Sequence, residues 1–323
     1  MLLPYIALIA GLVILVGSAD YFVKGASSIA KTMGMSPLLI GILIIGFGTS
    51  APEMIVSAIS SLNGSPTVAL GNAYGSIITN IGLILGITAL IKPIAVTSTV
   101  IKKELPILFV ATLISAWMIA DNCLSRDNAW ILLLLFGLYI LWSIWNANRQ
   151  QEDPLSTSFT ENLDNQPDMS LNRAIVYMLG GLIALMASSE ALVWGAVKIA
   201  EYFGVSDLVI GLTIVAVGTS LPELATSIIA ARRGETDLAM GNLIGSNMFN
   251  ILAVVGISGV ILPAHLNPEV FERDMMVIIT FTLSLFILGY DGKTKPGRIS
   301  RVDGTLLLIG YIAYSYVLLR KFL

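Results

Sequence analysis

The sequence predicts an all-α membrane protein: ten transmembrane helices arranged as two inverted five-helix repeats, with discontinuous core helices. Three observations carry that expectation. The 323 residues are 56% hydrophobic and only 12% charged, whereas a soluble domain carries about 25% charged residues. The apolar residues gather into ten runs divided by short polar connections. The chain is also duplicated: a shift of 170 residues aligns 11–93 with 181–263 without a gap, and 34 of the 83 positions are identical. Shared membrane composition does not place Gly25/Gly195, Ser36/Ser206, Pro52/Pro222, Glu53/Glu223, Asn72/Asn242 and Asn80/Asn250 in one register.

About 20 predominantly apolar residues cross a bilayer as a helix. On that measure the spans are 4–23, 36–61, 67–91, 105–119, 129–145, 174–194, 208–231, 238–262, 275–289 and 306–319. The fourth and ninth are short and are expected to extend into their flanks. The first run lacks the basic start and small-residue cleavage site of a removable leader, so it reads as a span. Between 146 and 172 the chain is polar, with Glu152, Asp153, Glu161, Asp164 and Asp168 among Ser, Thr, Asn and Pro. Such a segment buries no core and reads as a linker. The division is therefore 1–147 for the first repeat, 148–172 for the linker and 173–323 for the second repeat. Five spans per half is an odd number, so the second half enters from the opposite side. Inverted repeats are the architecture of many secondary transporters, whose sites lie at the repeat interface near the midplane.

Lys and Arg set the orientation. Lys24, Lys31, Lys92, Lys102, Lys103, Arg149, Arg173, Arg232, Arg233, Lys293, Lys295, Arg298 and Arg301 fall on the linker side, against Arg126, Lys198, Arg273, Arg320 and Lys321 on the other. The bias makes the linker cytoplasmic and places both termini outside a plasma (cell inner) membrane. A miscounted span would have scrambled it.

Some functions are excluded. A net charge of −3 leaves no basic face for nucleic acid. Cys123 is the only cysteine and His265 the only histidine, so neither an intramolecular disulfide nor a His/Cys zinc site is available. His265 lies near Pro263 and Pro268 and reads as a loop residue. Membrane lipid is the expected surrounding, and no partner protein is implied.

The functional stretch is Gly46-Phe-Gly-Thr-Ser-Ala-Pro-Glu53, repeated as Ala216-Val-Gly-Thr-Ser-Leu-Pro-Glu223. Each copy puts a carboxylate inside an apolar span, where an ionisable group costs about 2.5–3.5 kcal/mol on the insertion scale and marks a functional site by default. Thr49 and Ser50 lie four and three residues before Glu53, on one helical face. Gly48 and Pro52 weaken the helix between them, with Pro52 suited to the first turn of a half-helix. Such a break is expected to free the carbonyls of Gly46 and Thr49, and irregular backbone at this depth survives only in protein or along a cavity. The next span adds Asn72, Ser76 and Asn80, repeated as Asn242, Ser246 and Asn250, each set stepping by four. These stripes read either as glue between helices or as ligands.

The oxygens point to a hard cation. Ca²⁺ takes six to eight oxygen ligands, and two bidentate glutamates with two threonine carbonyls supply six. Two carboxylates balance one Ca²⁺, and the surrounding hydroxyls and amides suit Na⁺. Both GTS-x-PE segments, each followed by GN-x-x-GS-x-x-x-N, resemble the repeats of the Ca²⁺/cation antiporter superfamily, in its prokaryotic sodium/calcium exchanger branch. The resemblance covers nearly the whole chain. It implies Na⁺/Ca²⁺ antiport by alternating access, a core made by the second, third, seventh and eighth helices, and four adjacent cation sites. Carried over by position, Glu53, Glu223 and the carbonyls of Thr49 and Thr219 would hold Ca²⁺. Gly46, Ser50 and Ser76 on one side, and Ala216, Ser220 and Ser246 on the other, would form flanking Na⁺ sites, while Asn80 and Asn250 would complete the middle position.

One departure from the family pattern matters. Some archaeal members and the potassium-dependent exchangers resemble this pattern but carry aspartate where this chain has Asn250, so its core offers two carboxylates and argues against K⁺ co-transport. A second acidic pair in the repeat register, Asp20 and Glu190, reads as interfacial or capping, with gating as the sharper reading. Within the resemblance, Gly17, Gly25 and Gly195 would ease sliding of the first and sixth helices past the core. Three other functions remain open. Protons in place of Na⁺ would make a Ca²⁺/H⁺ exchanger, and a carboxylate-lined pore would make a channel. An intramembrane hydrolase would use two carboxylates sharing a proton, but no YD/GxGD pair, GxSxG or HExxH motif is present, so no enzymatic activity is expected.

Overall fold

The computed structural model describes residues 2–147, 169–204, 216–290 and 297–320. Among these, helical rods follow one another in the expected order. α1 is Leu2–Met33, α2 Pro37–Leu62, α3 Pro66–Ile91, α4 residues 100–118 and α5 Arg126–Ala147. The second half contributes α6 (Leu171–Tyr202), α7 (Ala216–Gly218, then Leu221–Arg233), α8 (Thr236–Ile261), α9 (residues 270–288) and α10 (Arg301–Leu319). Seven of them are continuous helices long and apolar enough to cross a bilayer. Residues 148–168 of the expected linker and 208–215 of the expected seventh span lie outside the described residues.

α1 runs ten residues beyond the expected span, because Gly25 packs on α6 and Lys24 pairs with Asp20 one turn back, at 2.6 Å. It ends at Gly34, whose φ of +63° only glycine adopts freely; Gly204 (φ +75°) ends α6 at the same place in the repeat. As expected, α4 and α9 extend at their N-terminal ends, through wide π-type turns at Val100–Glu104 and Val270–Met275.

The contacts of α1 with α6 show the inversion directly. Gly25 lies on the backbone of Ala174 and Met178, and Gly195 on that of Pro4 and Leu8; Gly11 meets Ser188 and Leu192, and Gly181 meets Phe22. Each contact is the 170-residue counterpart of another, and partner numbers in α6 fall as those in α1 rise. The two helices are antiparallel and exchange roles about a pseudo-two-fold axis. Two short antiparallel pairings follow the same symmetry: β1 (Ile94–Val96) with β4 (Gly297–Ile299), and β2 (Cys123–Leu124) with β3 (Ala264–His265). His265 thus serves a connection through its backbone.

Burial separates core from periphery. Within their spanning windows α8 is 83% buried and α3 72%, against 22% for α1, α5 and α6. α2 and α8 run parallel, backbone to backbone: a Cβ on Gly41 would stand 2.9 Å from the Cα of Gly241, and one on Gly46 3.0 Å from that of Gly245. Small residues at such crossings are what let membrane helices approach this closely.

Candidate functional site

The two GTS-x-PE segments take different local forms. In α2 the helix continues through Thr49–Glu53 with Pro52 inside it, and the distortion falls earlier, as a wide turn at Gly41–Gly46. In α7 the helix breaks at Thr219–Ser220, and Pro222 enters the first turn of the segment that follows. The expected half-helix therefore forms in the second repeat, while the first repeat absorbs the same irregularity as a π-type distortion. A proline leaves the carbonyl four residues back without its helical donor, and the carbonyl so released by Pro222, that of Gly218, accepts from Ser189 Oγ at 3.1 Å.

Asn80 and Asn250 both sit in wide turns, Thr79–Leu85 of α3 and Phe249–Val254 of α8. Turns of this kind inside α-helices are frequent at functional sites. The four core helices bury most of the predicted residues, and they bring Thr49, Ser50, Glu53, Glu223 and Ser246 together across the repeats. Thr49, Ser50, Glu53, Ser76, Asn80, Ser220, Glu223, Ser246 and Asn250 are all buried, Glu53 to 1% and Glu223 to 2% exposure. Glu53 and Glu223, from opposite repeats, are close enough for their charges to repel.

Hydrogen bonds cross between the repeats. Ser50 Oγ donates to Glu223 Oε1 at 3.3 Å, and Thr49 Oγ1 donates to Asn242 Oδ1 at 3.1 Å and lies 3.4 Å from Ser246 Oγ. The Asn242 amide in turn donates to Ser227 Oγ at 2.9 Å and to the carbonyl of Glu223 at 3.3 Å. Its repeat mate Asn72 donates to Ser57, the mate of Ser227, at 3.4 Å. Asn72 and Asn242 thus take the structural role left open for them, tying each stripe to its acidic helix. Gly46 supports the backbone approach to Gly245 and Ser246. Thr219 stands at the break of α7, and Ala216 at the edge of the described residues.

Sequence reasoning missed Asn247. It is fully buried and accepts from Asn80 Nδ2 at 3.1 Å, which turns Asn80 Oδ1 away from that bond. Its repeat mate is Ile77, so a polar residue in place of an apolar mate was the available signal. Six oxygens in this centre have no hydrogen-bond partner: both of Glu53, Oε2 of Glu223, Oγ of Ser220, Oδ1 of Asn80 and Oδ1 of Asn250. Buried acceptors are rarely left in that state, and oxygens without a proton donor suit a cation. Among the described residues no three His, Cys, Asp or Glu side chains cluster, so hydroxyl, amide and carbonyl oxygens must make up the rest of any shell.

Asp20 and Glu190, the second acidic pair, have diverged. Asp20 pairs with Lys24 at 2.6 Å and, across to the end of α7, with Arg233 at 2.9 Å; Glu190 lies exposed on α6. Gly25 and Gly195 pack α1 on α6, and a Cβ on Gly17 would meet nothing within 4 Å outside its own helix.

Inverted repeats meeting at a buried, oxygen-rich centre define a class, the helical ion antiporters of membranes. The sodium/calcium exchanger protein family matches residues 3–145 and 173–320. CaxA of Alkalimonas amylolytica is 47% identical over 320 residues, covering 98% of this chain and 99% of its own. The sodium/calcium exchanger MaX1 of Methanosarcina acetivorans is 32% identical, with 97% and 98% covered. Among solved structures, the sodium-calcium exchanger NCX_Mj superposes with a TM-score of 0.82 at 33% identity, over 97% of this chain and 98% of that one. The chain belongs to the sodium/calcium exchanger protein family.

Proposed function

We propose that the protein exchanges Na⁺ for Ca²⁺ across the cell membrane, binding both between the repeats. The observation that carries this reading is the set of six unpartnered, buried oxygens, three from Glu53 and Glu223 themselves and three from Ser220, Asn80 and Asn250. Glu53 and Glu223, with the carbonyls of Thr49 and Thr219, hold Ca²⁺. Ser50, Ser76 and the carbonyl of Gly46 flank it on one side, and Ser220, Ser246 and the carbonyl of Ala216 on the other, as Na⁺ positions. Asn80 and Asn250 line the middle.

Exchange follows from shared oxygens. Two carboxylates facing one another in a low-dielectric interior repel strongly unless a cation lies between them. Ca²⁺ neutralises both, Na⁺ ions do so in its place, and an unneutralised centre resists passing through an occluded state. Ion binding thereby couples to the change of access. The linker side is cytoplasmic in this reading and both termini are outside.

The test is ⁴⁵Ca²⁺ uptake into proteoliposomes. A Na⁺ gradient at fixed pH should drive uptake in the wild type, and Glu53→Gln and Glu223→Gln should each abolish it while eluting normally on size exclusion. Uptake driven by a pH gradient alone would make the protein a Ca²⁺/H⁺ exchanger, and robust transport by either glutamine variant would remove the glutamates from the site.

A further inference from the structure

Outside the cation centre, α1 and α6 enclose a groove of about 390 Å³ on the lipid-facing surface, lined by Ile14, Gly17, Tyr21, Val176, Gly180 and Ala184. Gly17 and Gly180 leave its floor open. At the end where both helices leave the bilayer on the linker side, Tyr21 and Tyr177 meet edge to face, 5.1 Å between centroids. A cation flanks each ring: Lys24 Nζ lies 5.7 Å from the centroid of Tyr21, and the Arg173 guanidinium 5.3 Å from that of Tyr177. Arg173 Nη2 also donates to Tyr177 OH at 3.0 Å. The contact of Gly25 with Ala174 brings the two cations to one level.

Helix packing does not require this arrangement. The pseudo-two-fold axis preserves the glycine contacts at both ends of the α1–α6 pair, yet the mates of Tyr21, Lys24, Arg173 and Tyr177 are Ala191, Trp194, Leu3 and Ala7. Nor does helix stability explain Arg173: it stands in the first turn of α6, where the helix dipole disfavours a cation and favours an anion. Among the described residues it makes no ion pair, and Lys24 keeps donors free beside its bond to Asp20.

We propose that this groove binds an anionic phospholipid, its acyl chain along the apolar floor and its phosphate between Lys24 and Arg173. Amphipathic aromatic rings and basic side chains at the interface are the chemistry that recognises such headgroups. The groove is separate from the cation centre, and lipid binding there does not depend on which ion that centre carries.

Native mass spectrometry of the purified protein, with phosphatidylglycerol or phosphatidylcholine added, tests it without recourse to transport. The wild type should retain phosphatidylglycerol in preference. Arg173→Gln should lower that retention about fivefold, the equivalent of about 1 kcal/mol for one basic group near an anionic surface. Gly180→Leu, which fills the floor, should lower retention of both lipids, and Arg298→Gln, remote from the groove, should change nothing. Equal retention of the two lipids by the wild type would overturn the proposal. So would loss of retention in Arg298→Gln matching that in Arg173→Gln, or a lipid-free dimer as the dominant species.

Discussion

Asn250 is fully buried, and neither its oxygen nor its nitrogen has a partner. An amide there contributes a dipole where an aspartate would contribute a full charge. At an effective dielectric of about 20, one further charge 4 Å from a bound cation is worth about 4 kcal/mol. Asn250→Asp should therefore change the ratio of Na⁺ to Ca²⁺ half-saturation by about tenfold or more without abolishing binding. Unchanged titrations of both ions would remove Asn250 from the middle position. Most of the other residues of the centre were legible because each came twice, in matching spans. Asn247 was not, because nothing in its neighbours states that Asn80 will turn toward it.

The helices hold these side chains in place through glycine. α8 meets α2 at Gly241 and Gly245, where no side chain separates the backbones. A Cβ on Gly245 would stand 2.8 Å from the Cα of Ile42, so a larger residue must push α8 away from Thr49 and Ser50. Gly245→Leu should destabilise the protein by at least about 1–3 kcal/mol and remove exchange, read as a lowered melting temperature and lost ⁴⁵Ca²⁺ uptake. Gly137→Ala, on α5 with nothing within contact distance, should be neutral or stabilising by roughly 0.5–1 kcal/mol. A wild-type melting temperature for Gly245→Leu would show that close packing is not what aligns the two helices. The same four-residue glycine spacing recurs at Gly71 and Gly75 of α3, where a Cβ would meet nothing within 4 Å, so the spacing by itself does not mark a helix contact. The continuity of α2 through Pro52 was not signalled, since a proline on the N-terminal side of a segment reads equally as a break or as a helix that tolerates it.

For the whole molecule, antiparallel contacts between α1 and α6 fix the inversion, and the distribution of Lys and Arg is the argument for a cytoplasmic linker face, which labelling tests. Cys123, half-buried in β2 between α4 and α5, lies on the face opposite the linker. Because it is the sole cysteine, a membrane-impermeant maleimide should label the wild type in intact cells. A Cys123→Ser, Asn165→Cys variant should label only after the membrane is opened. The reverse pattern would invert the orientation and put both termini inside.

The sequence alone determined the class, the duplication and most of the centre, because apolar runs, a carboxylate inside each of two of them and a constant register are local, countable features. Tertiary structure decided what depends on who meets whom. It bonded Ser50 to Glu223 across the repeats, and it broke α7 while only widening α2. It also spent the first acidic mate, Asp20, on Arg233, leaving Glu190 exposed. The physical reason is common to all three: two halves with nearly the same sequence pack against different neighbours, and a side chain's partner is settled by that packing, not by its place in the repeat.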